Sequence, residues 1–200
     1  MKAKINSGPF LEIVFSTGRK EDVVLYLGSF KEKEKTINNS KPQIVLEART
    51  DFSLKSLPQE TVWISSDGEY EVKKVFIWTY SFKKEKEKRN FFIAEGEGIT
   101  ICYFDSPFNC EEFKKELDDI GQIDIVFFFP FDDSFNLKEI KKTILDLEPK
   151  MIVVNNFEDQ KKMNDFLKEM GIKKVERLNK ISLKKKDLIF DGKKIIILER

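Results

Sequence analysis

The 200-residue chain contains no histidine. That absence removes the imidazole general base, the Ser-His-Asp and Cys-His catalytic arrangements, and any histidine-built zinc site. Cysteine is scarce: Cys102 and Cys110 cannot form a disulfide framework, and both are read as free thiols of a reduced, cytoplasmic protein. With 9 Gly and 6 Pro, no stretch has the composition of a low-complexity linker. Long apolar runs are missing as well. The longest, 125–131, is interrupted by Pro130 and falls far short of a membrane span. Asn6-Ser7-Gly8-Pro9 breaks the region where a signal core would lie, so neither a membrane span nor a targeting segment is expected. An excess of one charge is lacking too. The 36 Lys+Arg against 35 Asp+Glu leave +1, which argues against a generic electrostatic grip on nucleic acid or anionic lipid.

Charged residues make up 36% of the chain, above the roughly 25% of ordinary soluble domains. Lysine dominates, with arginine only at 19, 49, 89, 177 and 200. A surplus of Lys, Asn and Phe is what AT-rich coding produces. Most of the 19 Phe fall in strand-like runs, so they are read as core rather than as an aromatic binding stripe.

The N-terminal half reads as strands: 10–15 and 23–27 around a turn at Ser16-Thr17-Gly18-Arg19, then 43–46, 61–64, 70–72, 75–82, 90–95 and 98–104. The charge runs 31–35 and 83–89 are read as a solvated loop and an exposed hairpin tip. The second half alternates. Helices are expected at 111–120, stopped by Gly121, at 136–147 behind an Asn136 or Ser134 cap, and at 160–170 before Gly171. Strands are expected at 123–129, 151–154, 181–183, 188–190 and 195–198, with Asp191-Gly192 as a hairpin turn. The pattern implies a single α/β (α+β) domain over 1–200, a buried sheet core with covering helices.

Several segments in order carry a family resemblance: Asp67-Gly68-Glu69-Tyr70-Glu71-Val72; Gly98-Ile99-Thr100-Ile101-Cys102-Tyr103-Phe104-Asp105; Glu111-Glu112; Ile120-Gly121-Gln122-Ile123-Asp124-Ile125-Val126 running to Pro130; and Leu147-Glu148-Pro149-Lys150. Together, most clearly over 68–156, they resemble the metallo-β-lactamase-fold superfamily, in particular its small stand-alone branch of predicted zinc-dependent hydrolases. The resemblance implies a four-layer αββα sandwich. Active members hold two metal ions through an H-x-H-x-D-H loop, a further His, an Asp and a last His, leaving room for an activated water.

On a gapless match the first-loop ligand positions are Arg49, Asp51, Ser53 and Leu54. The Asp loop maps to Asp105-Ser106-Pro107-Phe108-Asn109, with Asp105 as the retained carboxylate after a one-residue shift. Asn155-Asn156 stand where the last His belongs, and Asn6-Ser7-Gly8 replaces the branch's N-terminal Gly-His. The resemblance therefore implies a vestigial pocket of Arg49, Asp51, Ser53, Leu54, Asp105, Asn109, Asn155 and Asn156, with no catalytic residue, no metal ligand and no cofactor.

Three functions stay open. The first is a pseudoenzyme that binds a protein partner or a second copy of itself, or serves as a structural module, its pocket closed by Phe52, Leu54 and Phe108. The second is a metallo-hydrolase on a remodelled Asp-based site at Asp51 and Asp105, with Asp132 and Asp133 nearby at strand ends. The third is a nucleic-acid-associated module, which the balanced charge does not favour. Arg49 is expected to bind an anion or to pair with Asp51 or Asp105. Cys110, at a helix start, is the thiol that position could acidify, whereas Cys102 reads as a small core hydrophobe.

Overall fold

Alternation along the strands assigns each side chain to a face, and two faces are apolar almost throughout. The computed structural model describes residues 1–5, 10–16, 22–30, 34–49, 57–129, 136–155, 159–172 and 174–199. In chain order the strands and helices are β1 (Lys2–Ile5), β2 (Leu11–Ser16), β3 (Asp22–Gly28), α1 (Glu34–Ser40), β4 (Ile44–Glu47), β5 (Val62–Ile64), β6 (Gly68–Val72), β7 (Val75–Lys84), β8 (Glu87–Gly96), β9 (Ile99–Phe104), α2 (Lys114–Ile120), β10 (Ile125–Phe128), α3 (Leu137–Asp146), β11 (Met151–Asn155), α4 (Gln160–Glu169), β12 (Glu176–Leu178), β13 (Ile181–Ser182) and β14 (Lys194–Leu198).

They form two sheets. The smaller has the order β13-β1-β2-β3-β4-β5 and the larger β12-β14-β11-β10-β9-β8-β7-β6. In the larger sheet β6 to β9 are antiparallel neighbours, and β9, β10, β11 and β14 run parallel. Ile99, Ile101 and Tyr103 of β9 and Ile125 and Phe127 of β10 face the other sheet, joining Ile13, Phe15, Leu25, Ile44 and Leu46 in one buried cluster. The alternate residues Cys102, Phe104, Val126 and Phe128 turn outward and are covered by Ile140 and Ile144 of α3 and Met163 and Phe166 of α4. On the far side of the smaller sheet, Ile37 of α1 packs with Phe10, Tyr26, Phe30 and Val45. The layers are thus helix, sheet, sheet, helix, as the resemblance implies. Gly96 lets the sheets approach: a Cβ there would lie 2.7 Å from the Phe15 ring.

The helix ends follow the sequence signals. Asn136 caps α3 by accepting from the Lys138 amide, and Asp159 caps α4 by accepting from Lys161 and Lys162. Gly121, at φ 83°, ends α2 in a conformation that costs glycine little.

Several expectations are corrected. The 111–120 helix begins as a 3-10 turn, Cys110–Phe113, before α2. Glu34 and Lys35, the end of the expected charged loop 31–35, begin α1, because Ile37 has an apolar face to bury. Strands β7 and β8 pair as far as Lys84 and Glu87, so the all-charged tip shrinks to Glu85-Lys86. The expected strand at 188–190 is absent: Lys185–Leu188 is a 3-10 turn that buries Leu188 and leaves Ile189 81% exposed. Asp191-Gly192 is not a hairpin turn, because β13 lies in the smaller sheet and β14 pairs parallel with β11 and β12 in the larger. β1 and β12 carry too few apolar residues to be read in advance. Among the described residues no helix is long and apolar enough to cross a membrane.

Candidate functional site

The parallel strands β9, β10 and β11 end at one level. Phe128 pairs with Phe104 on one side and Val154 on the other, so Asp105, Phe129 and Asn155 follow in one row at the strand ends. The end of β4 joins this row from the smaller sheet. Beyond it, Arg49 forms a β-bridge with Arg89 of β8, and the Asn90 amide donates to the Ala48 carbonyl at 2.8 Å. The Asn90 side-chain amide donates to the Glu47 and Ser65 carbonyls at 2.9 and 3.0 Å, and its oxygen accepts from Ser81 Oγ at 2.8 Å. Asn90 is fully buried, so it is a polar rivet between the sheets.

Four charged side chains form a chain across this end. Arg49 Nη2 lies 3.0 Å from Glu87 Oε1. Glu87 Oε2 accepts from Arg89 Nε and Nη2 at 3.0 and 2.6 Å. Arg89 Nη1 donates to Asp105 Oδ2 at 3.0 Å, with side-chain exposures of only 9% and 2%. The planar guanidinium fork explains why arginine stands here in a lysine-dominated chain: it serves two carboxylates at once. The buried Glu47 carboxylate accepts from the Phe30 and Arg49 amides at 3.0 and 2.9 Å. Burial pushes the Tyr103 phenol well above its ordinary range, Asp105 and Glu47 add to this, and Arg89 opposes it. Tyr103 therefore stays protonated beneath the cluster.

The sequence candidates fall out as follows. Arg49 pairs with Glu87, and Asp105 accepts from Arg89. Asn109 Nδ2 is exposed and bonds Glu112 Oε1 at 3.1 Å at the start of the 3-10 turn. Asn155 Oδ1 is buried and has no hydrogen-bond partner among the described residues. Phe108 stacks on Phe91 at 3.9 Å in the outer core. Asp51, Phe52, Ser53, Leu54, Asp132, Asp133 and Asn156, and Asn6-Ser7-Gly8, lie outside the described residues. Cys110 is not acidified. Burial pushes its thiol up to about 12, Asp146 adds to the rise, and Cys102 is raised by burial as well. Glu47, Glu87, Arg89 and Asn90 were not legible as a group. Their one signal is compositional, since two of the five arginines flank the loop and the strand that meet here.

A zinc centre of the kind the resemblance implies does not fit these residues. There is no imidazole, two guanidinium groups stand among the carboxylates, and Asp105 is engaged by Arg89. Among the described residues no three Cys, Asp or Glu side chains are grouped to hold a metal ion.

No family model and no curated protein matches the chain. Solved structures do. A suggested Zn-dependent hydrolase of the metallo-β-lactamase superfamily from Thermotoga maritima aligns over 99% of this chain and 98% of its own, at TM-score 0.67 and 18% identity. The metallo-β-lactamase fold protein YhfI from Bacillus subtilis aligns over 84% of this chain and 91% of its own, at TM-score 0.52 and 10% identity. The chain has the metallo-β-lactamase fold.

Proposed function

We propose that this protein is a pseudoenzyme of the metallo-β-lactamase fold: one domain over 1–200, cytoplasmic, that acts by binding a protein partner instead of by zinc hydrolysis. The observation that carries this reading is the Arg89 guanidinium, 3.0 Å from Asp105 and almost wholly buried. A divalent cation on the same carboxylate would sit within a few ångströms of a fixed positive charge, with little water to screen the repulsion. Asp105 is thereby spent on a permanent internal cation. The same contact disfavours a hydrolase built on Asp51 and Asp105. The free, buried thiols of Cys102 and Cys110 suit a reducing compartment.

Elemental analysis of protein purified without metal-affinity resin tests the reading, followed by titration with Zn²⁺, Mn²⁺ and Mg²⁺ in a calorimeter. Substoichiometric metal and no saturable heat are expected. Stoichiometric metal that is lost in Asp105→Asn overturns the proposal and restores the Asp-based hydrolase.

A further inference from the structure

Strands β6 and β7 form the outer edge of the larger sheet, and their outward face differs from the rest of that sheet. Farther in, outward residues are capped by α3 and α4. On β7 the outward residues are Phe76, Trp78 and Tyr80. Phe76 is 44% exposed, and Trp78 and Tyr80 are only partly covered. The Phe76 and Trp78 rings stack at 6.4 Å, and Tyr80 leans on Phe113 at 5.8 Å, where the helical cover begins. Such residues at i, i+2 and i+4 form a stripe with a repeat of about 6.8 Å.

Carboxylates border this stripe. The register sets Glu71 and Glu95 on either side of Phe76, and Glu69 beside Trp78. Tyr80 leans on Phe113, just before α2, and burial raises its phenol, with Glu69 and the α2 carboxylates Glu116 and Asp119 adding to the rise; Lys114 and Lys115 stand beside those two. None of the five is ion-paired among the described residues. Lys73 and Lys74 form the two-residue turn at the far end of the stripe, both at positive φ. Five acidic groups around aromatic faces complement a cation twice, by charge and by the ring quadrupole. An extended peptide repeats its side chains every second residue at the same spacing as the stripe.

We propose that this aromatic and acidic face docks an extended segment of a partner protein that carries lysine or arginine at alternate positions. The proposal names a partner class for the binding role above and rests on that reading, but fails separately from it: metal content decides the first, peptide binding the second.

The test is fluorescence anisotropy of a labelled peptide alternating Lys and Thr, against the same peptide with Glu for Lys, titrated with the full chain. The lysine peptide should bind saturably and the glutamate peptide should not. Phe76→Ser and the double variant Glu69→Lys, Glu71→Lys should each weaken binding, the former by roughly threefold to tenfold, with unchanged unfolding midpoints. The control pair Glu148→Lys, Asp165→Lys alters charge equally, after α3 and on α4, away from the stripe, and should leave binding intact. Three results overturn the proposal: no saturation, equal binding of both peptides, or a loss in the control pair as large as in Glu69→Lys, Glu71→Lys. A dimer in sedimentation velocity that Phe76→Ser abolishes also overturns it, assigning the face to a second copy.

Discussion

Two buried aspartates lie at opposite ends of the parallel strands β9 and β10, and their charges are met in different ways. Asp124, before β10, accepts from the Thr100 amide at 2.9 Å, from Lys185 at 2.6 Å and from Lys150 at 3.5 Å. The Asp124 carbonyl also accepts from the Lys150 and Met151 amides. Both lysines keep contact with water, Lys185 being half exposed. Asp105, after β9, meets an arginine that is itself 9% exposed. At Asp124 the backbone sets the geometry and the cations are solvated attachments. At Asp105 a cation has been desolvated along with its partner. The first arrangement locks neighbouring strands together, and the second ties the end of β9 to the adjacent strand β8 through a buried ion pair.

Removing one cation at each end sharpens the contrast. Arg89→Met removes the buried cation beside Asp105 and should cost about 3–5 kcal/mol in urea unfolding. The double variant Arg89→Met, Asp105→Leu should recover most of that loss, because a desolvated pair is often replaceable by apolar side chains of similar volume. A double variant as unstable as Arg89→Met would break the comparison. Asp124→Ala should cost less, about 1–3 kcal/mol, by stranding the Thr100 amide, read in the same experiment. Lys185→Ala should lower stability by less than about 1 kcal/mol, since its head remains in water.

The smallest effect concerns the outer core between the two ends. With the Cys110 thiol pushed up to about 12, the protonated form is favoured in the folded state. Its contribution to stability is complete below the ordinary thiol range and is lost as pH rises from there towards 12. At pH 8 a thiol reagent should therefore react with Cys110 only as fast as the chain opens. Modification at the rate of a free thiol would show the outer layer to be loose.

Much of the fold was legible. The strand runs 75–82 and 98–104, the Asn136 cap and the stops at Gly121 and Gly171 are local signals, and local hydrogen bonds honoured them. β1 and β12 were not legible, because each carries few apolar residues and is fixed by its pairing, β1 between β2 and β13 and β12 on β14. The site was legible only in outline. Arg49 and Asp105 stood out individually, yet nothing local tells that Arg89 reaches Asp105 while Arg49 turns to Glu87. That choice depends on the bridge between Arg49 and Arg89, which joins strands of two different sheets.

The amino-acid sequence by itself determined what chemistry is unavailable, since a chain without histidine cannot place an imidazole in any fold. It also determined which faces are apolar, through periodicity. Tertiary structure decided which charges meet and which aromatics stay outside. Arg89 becomes the counter-ion of Asp105, and Phe76 remains at the surface while Phe91 is buried, because sheet register and helix cover are properties of distant segments packed together.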